Sequence, residues 1–161
     1  MIISMMSFLV FSENLTRTKE TDTVTPLNLK ETILKSYNPN LGNITLFCVN
    51  SCRKCFILQN RKIDEFKGNI RFNGDLEVSI VDKSNQLNSI DDFGSINDHK
   101  ICFKFNIYKN GSSTKYILSD NSGIYFLPSY FGQPQMVNDI DIAKELWIKE
   151  EFNLNDETNY Y

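Results

Sequence analysis

Apolar residues fall along this chain in short blocks, separated by polar stretches rich in Asn and Ser, and the spacing inside each block predicts its element. Met1 to Phe11 (MIISMMSFLVF) is almost wholly apolar, and the polar, Thr-rich residues 12–26 read as a tether into a folded unit. Leu29, Ile33 and Leu34 recur at helical spacing within Leu27 to Tyr37, and Asn38-Pro39 ends that helix. Ile44 to Val49 is a continuous apolar run, as in a strand covered on both faces. A second helix is predicted from Cys52 to about Lys67, with Gly68 as its C-terminal stop. Leu76 to Val81 reads as a strand, and residues 84–98 as irregular with a short helix around Ser89 to Phe93. Ile101 to Tyr108 alternates apolar and polar, as an extended segment or the end of a short helix would. The Asn110-Gly111 turn leads to Tyr116, Ile117 and Leu118, and the turn at Asp120 to Gly123 joins these to Ile124–Leu127 as a hairpin. Asp139 caps a last helix to about Phe152, with Ile140, Ala143, Trp147 and Ile148 facing inward, and residues 153–161 form a polar tail.

Composition narrows the function classes. A chain of 161 residues with 41% hydrophobic residues is long enough for one domain with one core, placed here at residues 27–152. The net charge of −3 and the scattered Lys and Arg leave no basic patch for nucleic acid. One histidine, with no P-loop or G-x-G-x-x-G, excludes most hydrolytic and nucleotide-binding constellations. Residues 1–11 are short of the roughly 20 needed to span a bilayer. They suit the apolar region of a signal peptide cleaved near Ser12 or a membrane tether, although no Lys or Arg precedes them. The expected location is therefore exported, periplasmic or membrane-anchored. N-x-S/T sequons at Asn14, Asn43 and Asn110 are no more than this Asn-, Ser- and Thr-rich composition yields by chance.

The candidate chemistry sits at Cys52-Arg53-Lys54-Cys55, directly after the apolar run at 44–49. With a helix starting at Cys52, the unsatisfied N–H groups and positive end of its dipole would stabilise a thiolate, aided by Arg53 and Lys54. Cys102, between Ile101 and Phe103, reads as a buried apolar cysteine. Cys48, Cys52 and Cys55 together have the C-x₃-C-x₂-C spacing of cluster-binding radical enzymes, but those are far larger barrels. A zinc site would need the cysteines and His99, with Cys52-x-x-Cys55 as one knuckle, and a second matching pair is missing. Glu77 and Asp82 flank the second strand as surface charges, and Tyr125, Tyr130 and Phe131 around Pro128 are a candidate aromatic patch, with core packing of the last strand the better account of two of the three.

The order strand, C-x-x-C, helix, strand, then hairpin and helix resembles the thioredoxin fold, especially its exported members. ITLFCVN running into SCRKC and the segment FKFNIYKNGSSTKYILSDNSGIYFL carry the resemblance over residues 27–152. It implies an α/β fold, thioredoxin-like, with a central mixed sheet flanked by helices, and thiol–disulfide exchange with protein thiols or disulfides, without a cofactor. Cys52 would be the attacking thiolate and Cys55 the resolving one. Ser51 stands where that family usually has Trp, and Ser112-Ser113-Thr114 where it has a cis-proline, which assigns substrate docking to Ser113 and Thr114. The alternative is a non-catalytic interaction module of the same fold, with a structural disulfide or zinc-bound cysteines.

Overall fold

The computed structural model describes residues 23–130 and 132–158. The expected apolar segment at 1–11 and most of the tether lie outside them. Two antiparallel sheets pack face to face. The first contains β2 (Ile44–Val49), β3 (Lys54–Gln59), β4 (Lys62–Glu65) and β10 (Phe103–Ile107) in the order β10-β2-β3-β4. The second contains β6 (Glu77–Val81), β7 (Leu87–Ser89), β11 (Tyr116–Asp120), β12 (Gly123–Leu127) and β13 (Gln135–Val137) in the order β13-β12-β11-β6-β7. Two small ribbons complete the strands. β1 (Thr23–Val24) pairs parallel with β5 (Asn69–Ile70), and β8 (Ser95–Ile96) forms a hairpin with β9 (His99–Lys100). The helices are α1 (Leu29–Ser36) and α2 (Ile140–Thr158).

Alternation builds the core. Ile44, Leu46 and Cys48 of β2, Cys55 and Ile57 of β3, and Phe103, Phe105 and Ile107 of β10 point to the inner side of the first sheet. They meet Val78, Tyr116, Leu118, Tyr125 and Leu127 from the second, as in a β-sandwich whose inner faces interdigitate. Leu29 and Ile33 of α1, at i and i+4, are buried in the same cluster. The Tyr116 hydroxyl crosses the core to donate a hydrogen bond to the Lys104 carbonyl at 2.8 Å.

This overturns the expected thioredoxin-like α/β fold, since thirteen strands stand against two α-helices among the described residues, and no helix-flanked mixed sheet is formed. The difference begins at residues 52–67, expected as a helix and found as β3 and β4. Cys55 and Ile57 face inward while Phe56 and Leu58 face outward, a period of two. Asn60 and Arg61, both left-handed (φ 52° and 66°), close the two strands by a two-residue turn that ends any helical reading. Around Ser89 to Phe93 there is no helix either, as β7 ends at Ser89 and β8 follows. α2 continues to Thr158, into the expected tail; Ala143, Trp147 and Glu150 are buried and Ile140 packs against the cluster of Ala143 and Trp147 as expected, while Ile148 is exposed.

Candidate functional site

The four cysteines gather at one corner of the first sheet, in two disulfides: Cys48–Cys55 and Cys52–Cys102. Cys48 and Cys55 are register partners on β2 and β3, with Cα atoms 4.0 Å apart, and both are buried in the inter-sheet core. Cys52 lies in the loop Asn50–Arg53 that joins these strands, and its partner Cys102 immediately precedes β10. Asn50, Ser51 and Cys52 are all left-handed (φ 60°, 56° and 62°). Only Asn tolerates that region readily, and other L-residues lose roughly 1–2 kcal/mol each there. The loop is held from both sides: by the Cys48–Cys55 pair at its base and by Cys102 at its tip. Cys52–Cys102 is half-buried, and Ser51 and Cys102 line a cavity of about 330 Å³ beside it.

The expected dithiol is therefore arranged differently from its sequence reading. Cys52 lies within a β-hairpin loop and Cys55 on the strand after it, so no helix terminus faces Cys52, and each is bonded to a different partner. With every cysteine in a disulfide there is no thiolate to ligate zinc. No group of three or more His, Cys, Asp or Glu that could hold a metal ion occurs among the described residues. Ser113 and Thr114 sit far from this corner. Ser113 is buried, its amide donates to the Ser129 carbonyl, and it bridges to Ile107 at the far end of β10. Ile107 is four residues from Phe103, about 13 Å along the strand. Thr114 accepts a bond from the Asn106 amide through its hydroxyl. Both serve local pairing, and the structure does not bring them to Cys52.

The outer face of the same sheet carries a groove. Phe47 and Val49 of β2 and Phe56 of β3 form its apolar floor, with Ile63 of β4 and Ile96 of β8 at its sides. Phe47 and Phe56 are register partners whose rings stack at 5.5 Å. The polar lining is Asn50 and Lys54 at the cysteine loop, and Asn97 and His99 from the β8–β9 hairpin. The Lys54 ammonium lies 5.5 Å from the Phe56 ring centre, a cation–π distance. Asn97 and Asp98, left-handed at φ 49° and 64°, make the tight β8–β9 turn that sets Ile96 and His99 over the sheet. The groove encloses about 290 Å³ and none of its lining residues is a carboxylate; Glu65 of β4, the register partner of Phe56, and Asp98, next to Asn97, stand beside it. Sequence reasoning missed this site. Lys54 read as a modulator of thiols because it was placed in a helix rather than on β3.

A second polar cluster holds α2 to the back of the other sheet. Glu150, 4% exposed, accepts the Ser129 amide at 2.8 Å and lies 3.9 Å from the Lys115 ammonium, and its other oxygen has no partner. The Lys115 ammonium also donates to the Trp147 carbonyl at 2.7 Å and sits over the Trp147 ring at 4.3 Å. Burial lowers the pKa of Lys115, with the nearby Glu150 and Glu151 carboxylates opposing that shift. Of the candidate aromatic patch, Tyr125 is buried in the core, Tyr130 is about half-exposed, and Phe131 lies outside the described residues. Glu77 is exposed and accepts the Ser89 hydroxyl, and Asp82 orders its own turn by accepting from the Ser84 and Gln86 amides.

Two disulfides fit an extracellular protein. Among the described residues no helix is long and apolar enough to cross a membrane. Comparison with protein-family models, curated proteins and solved structures finds no match to any of them.

Proposed function

We propose that this chain is an exported, non-catalytic binding domain whose four cysteines are structural and whose binding site is the groove on the outer face of the four-stranded sheet. One observation carries the reading: Cys52, in the hairpin loop, and Cys55, on β3, are bonded to different partners, so each disulfide fastens one element to another. Cys48–Cys55 locks the register of β2 against β3, and Cys52–Cys102 pins the loop to the start of β10. A fixed corner next to an apolar, charge-rimmed groove suits recognition, where a preformed surface lowers the ordering cost of binding.

Thiol–disulfide exchange with protein thiols or disulfides is the second reading, and the half-buried Cys52–Cys102 bond favours it. Peptide mapping of the purified full chain by mass spectrometry, with thiol trapping across a glutathione series, separates the two. The binding reading expects Cys48–Cys55 and Cys52–Cys102 cross-links that persist across the series, with no catalysed reduction of a protein disulfide. A Cys52–Cys55 cross-link that opens and closes reversibly, with turnover, would replace it by an exchange enzyme.

A further inference from the structure

The groove narrows the class of ligand. Its volume of about 290 Å³ lies at the lower edge of the roughly 300–1,000 Å³ typical of small-molecule sites, too small for a folded partner to enter. Its floor is the stacked Phe47–Phe56 pair with Val49, a surface that takes a flat ring in offset or edge contact. Its polar lining is rich in donors: the Lys54 ammonium, the amide groups of Asn50 and Asn97, and the His99 imidazole, which keeps an N–H in either protonation state. A chain of net charge −3 thus places a cation and no lining carboxylate around one apolar floor. A cationic ligand would meet the like charge of Lys54 at the lining itself, where Glu65 stands only beside the floor, and a neutral one would leave that ammonium without an anion.

We propose that the groove binds a small organic acid with an aromatic body, the ring on Phe47 and Phe56 and the carboxylate on Lys54. This rests on the binding-domain reading and deepens it. No covalent step is involved. The ligand displaces water from the floor, and its carboxylate takes the hydrogen bonds that the Lys54 ammonium otherwise gives to solvent. The cysteine loop supplies rigidity to this end of the groove, because Asn50 is the first of its left-handed residues and Cys52 is tied to Cys102.

The test uses the oxidised full chain and three probes of one shape: phenylpropionate, phenylpropanol and phenylpropylamine, followed by NMR titration of the Phe56 and Lys54 signals. The acid is expected to bind about tenfold more tightly than the alcohol, as one charge-assisted hydrogen bond provides, and the amine more weakly still. Lys54→Glu, on an exposed position, should invert the order of acid and amine, and Lys54→Gln should level acid and alcohol. Unchanged disulfide maps certify that both variants are folded. If all three probes bind the native groove equally, or Lys54→Glu leaves the order intact, the acid assignment falls while the binding-domain reading stands. If no probe moves the Phe47, Phe56 or Lys54 signals at saturating concentration, the groove is no binding site and both fall together.

Discussion

Both sheets carry apolar side chains on their outer as well as their inner faces, yet the two outer faces end differently. On the five-stranded sheet, Val81, Ile117 and Phe126 are sealed by Ala143 and Trp147 of α2. On the four-stranded sheet, Phe47 and Val49 meet only Ile101 and the partly buried Phe93 and Ile96 of the connecting segment, leaving Phe56 and Leu58 partly open. Sealing has a polar consequence. A helix laid over a sheet must satisfy the charged groups it covers, and Lys115, Glu150 and the Trp147 carbonyl form the cluster that does so for all but one Glu150 oxygen. The open face keeps its cation, Lys54, in water above an aromatic ring, where it is free to meet an anion. One outer face is closed by a helix, and the other is closed only in part, by the connecting segment.

Matched truncations measure that difference. Trp147→Ala should cost about 4–5 kcal/mol in urea unfolding, because it empties a buried site and also removes the ring under the Lys115 ammonium. Phe56→Ala on the open face should cost about 2 kcal/mol, since a half-buried ring removes less surface from water. Equal losses would mean that the groove floor is as much core as the helix seat is, and the distinction between the faces would fail.

The disulfides sharpen the comparison at the next level. Both lie on the four-stranded sheet, so the staples stand on the side that has no helix. Loop-closure entropy assigns Cys52–Cys102, which spans 50 residues, about 4 kcal/mol, and Cys48–Cys55, which spans 7, about 2.5 kcal/mol. Replacing Cys52 and Cys102 together by Ser should therefore destabilise more than replacing Cys48 and Cys55. Hydrogen exchange should rise at residues 50–53 and 95–102 while the amides of α2 stay protected. Loss of protection in α2 to the same degree would show that the staple supports the whole sandwich.

How far the chain could be read follows the same division. The hairpin of β11 and β12 was legible because alternation and a tight turn coincide: Asp120 pairs with Gly123 around Asn121 and Ser122. The strand at 44–49 was legible as a run buried on both sides. The helix expected at 52–67 failed because its apolar residues fit two periods at once, and the turn residues Asn60-Arg61 lack the glycine that marks such hairpins most clearly. That single element carried the α/β reading, the helix-activated thiol and the pairing of Cys52 with Cys55. The signal that pointed elsewhere was the even number of cysteines in a chain expected to be exported, which favours staples. Glu150 was invisible for a different reason. Seven residues after Ala143, it occupies the buried stripe of α2, but only Lys115 and the Ser129 amide, distant in sequence, make a carboxylate acceptable there.

Tyr116 lies between the two sheets, belongs to neither outer face, and gives the smallest effect. Its ring packs on Phe103 and Phe93, and its hydroxyl donates to the Lys104 carbonyl on β10, the edge strand of the opposite sheet. Burial, with a smaller contribution from Tyr108, pushes its pKa up to about 12 from an ordinary value of 10. The fold thus favours the neutral phenol. Below pH 10 both folded and unfolded chains hold the proton, and the contribution of this group to stability is complete. Between pH 10 and about 12 the unfolded chain releases its proton first, so that contribution declines as pH rises. Tyr116→Phe should cost about 1 kcal/mol at neutral pH, the net worth of one hydrogen bond, and should flatten the alkaline decline in urea stability. It should also remove the latest phase of tyrosinate absorbance. Persistence of that phase in the variant would place the late ionisation elsewhere and separate the inter-sheet bond from the alkaline behaviour of the fold.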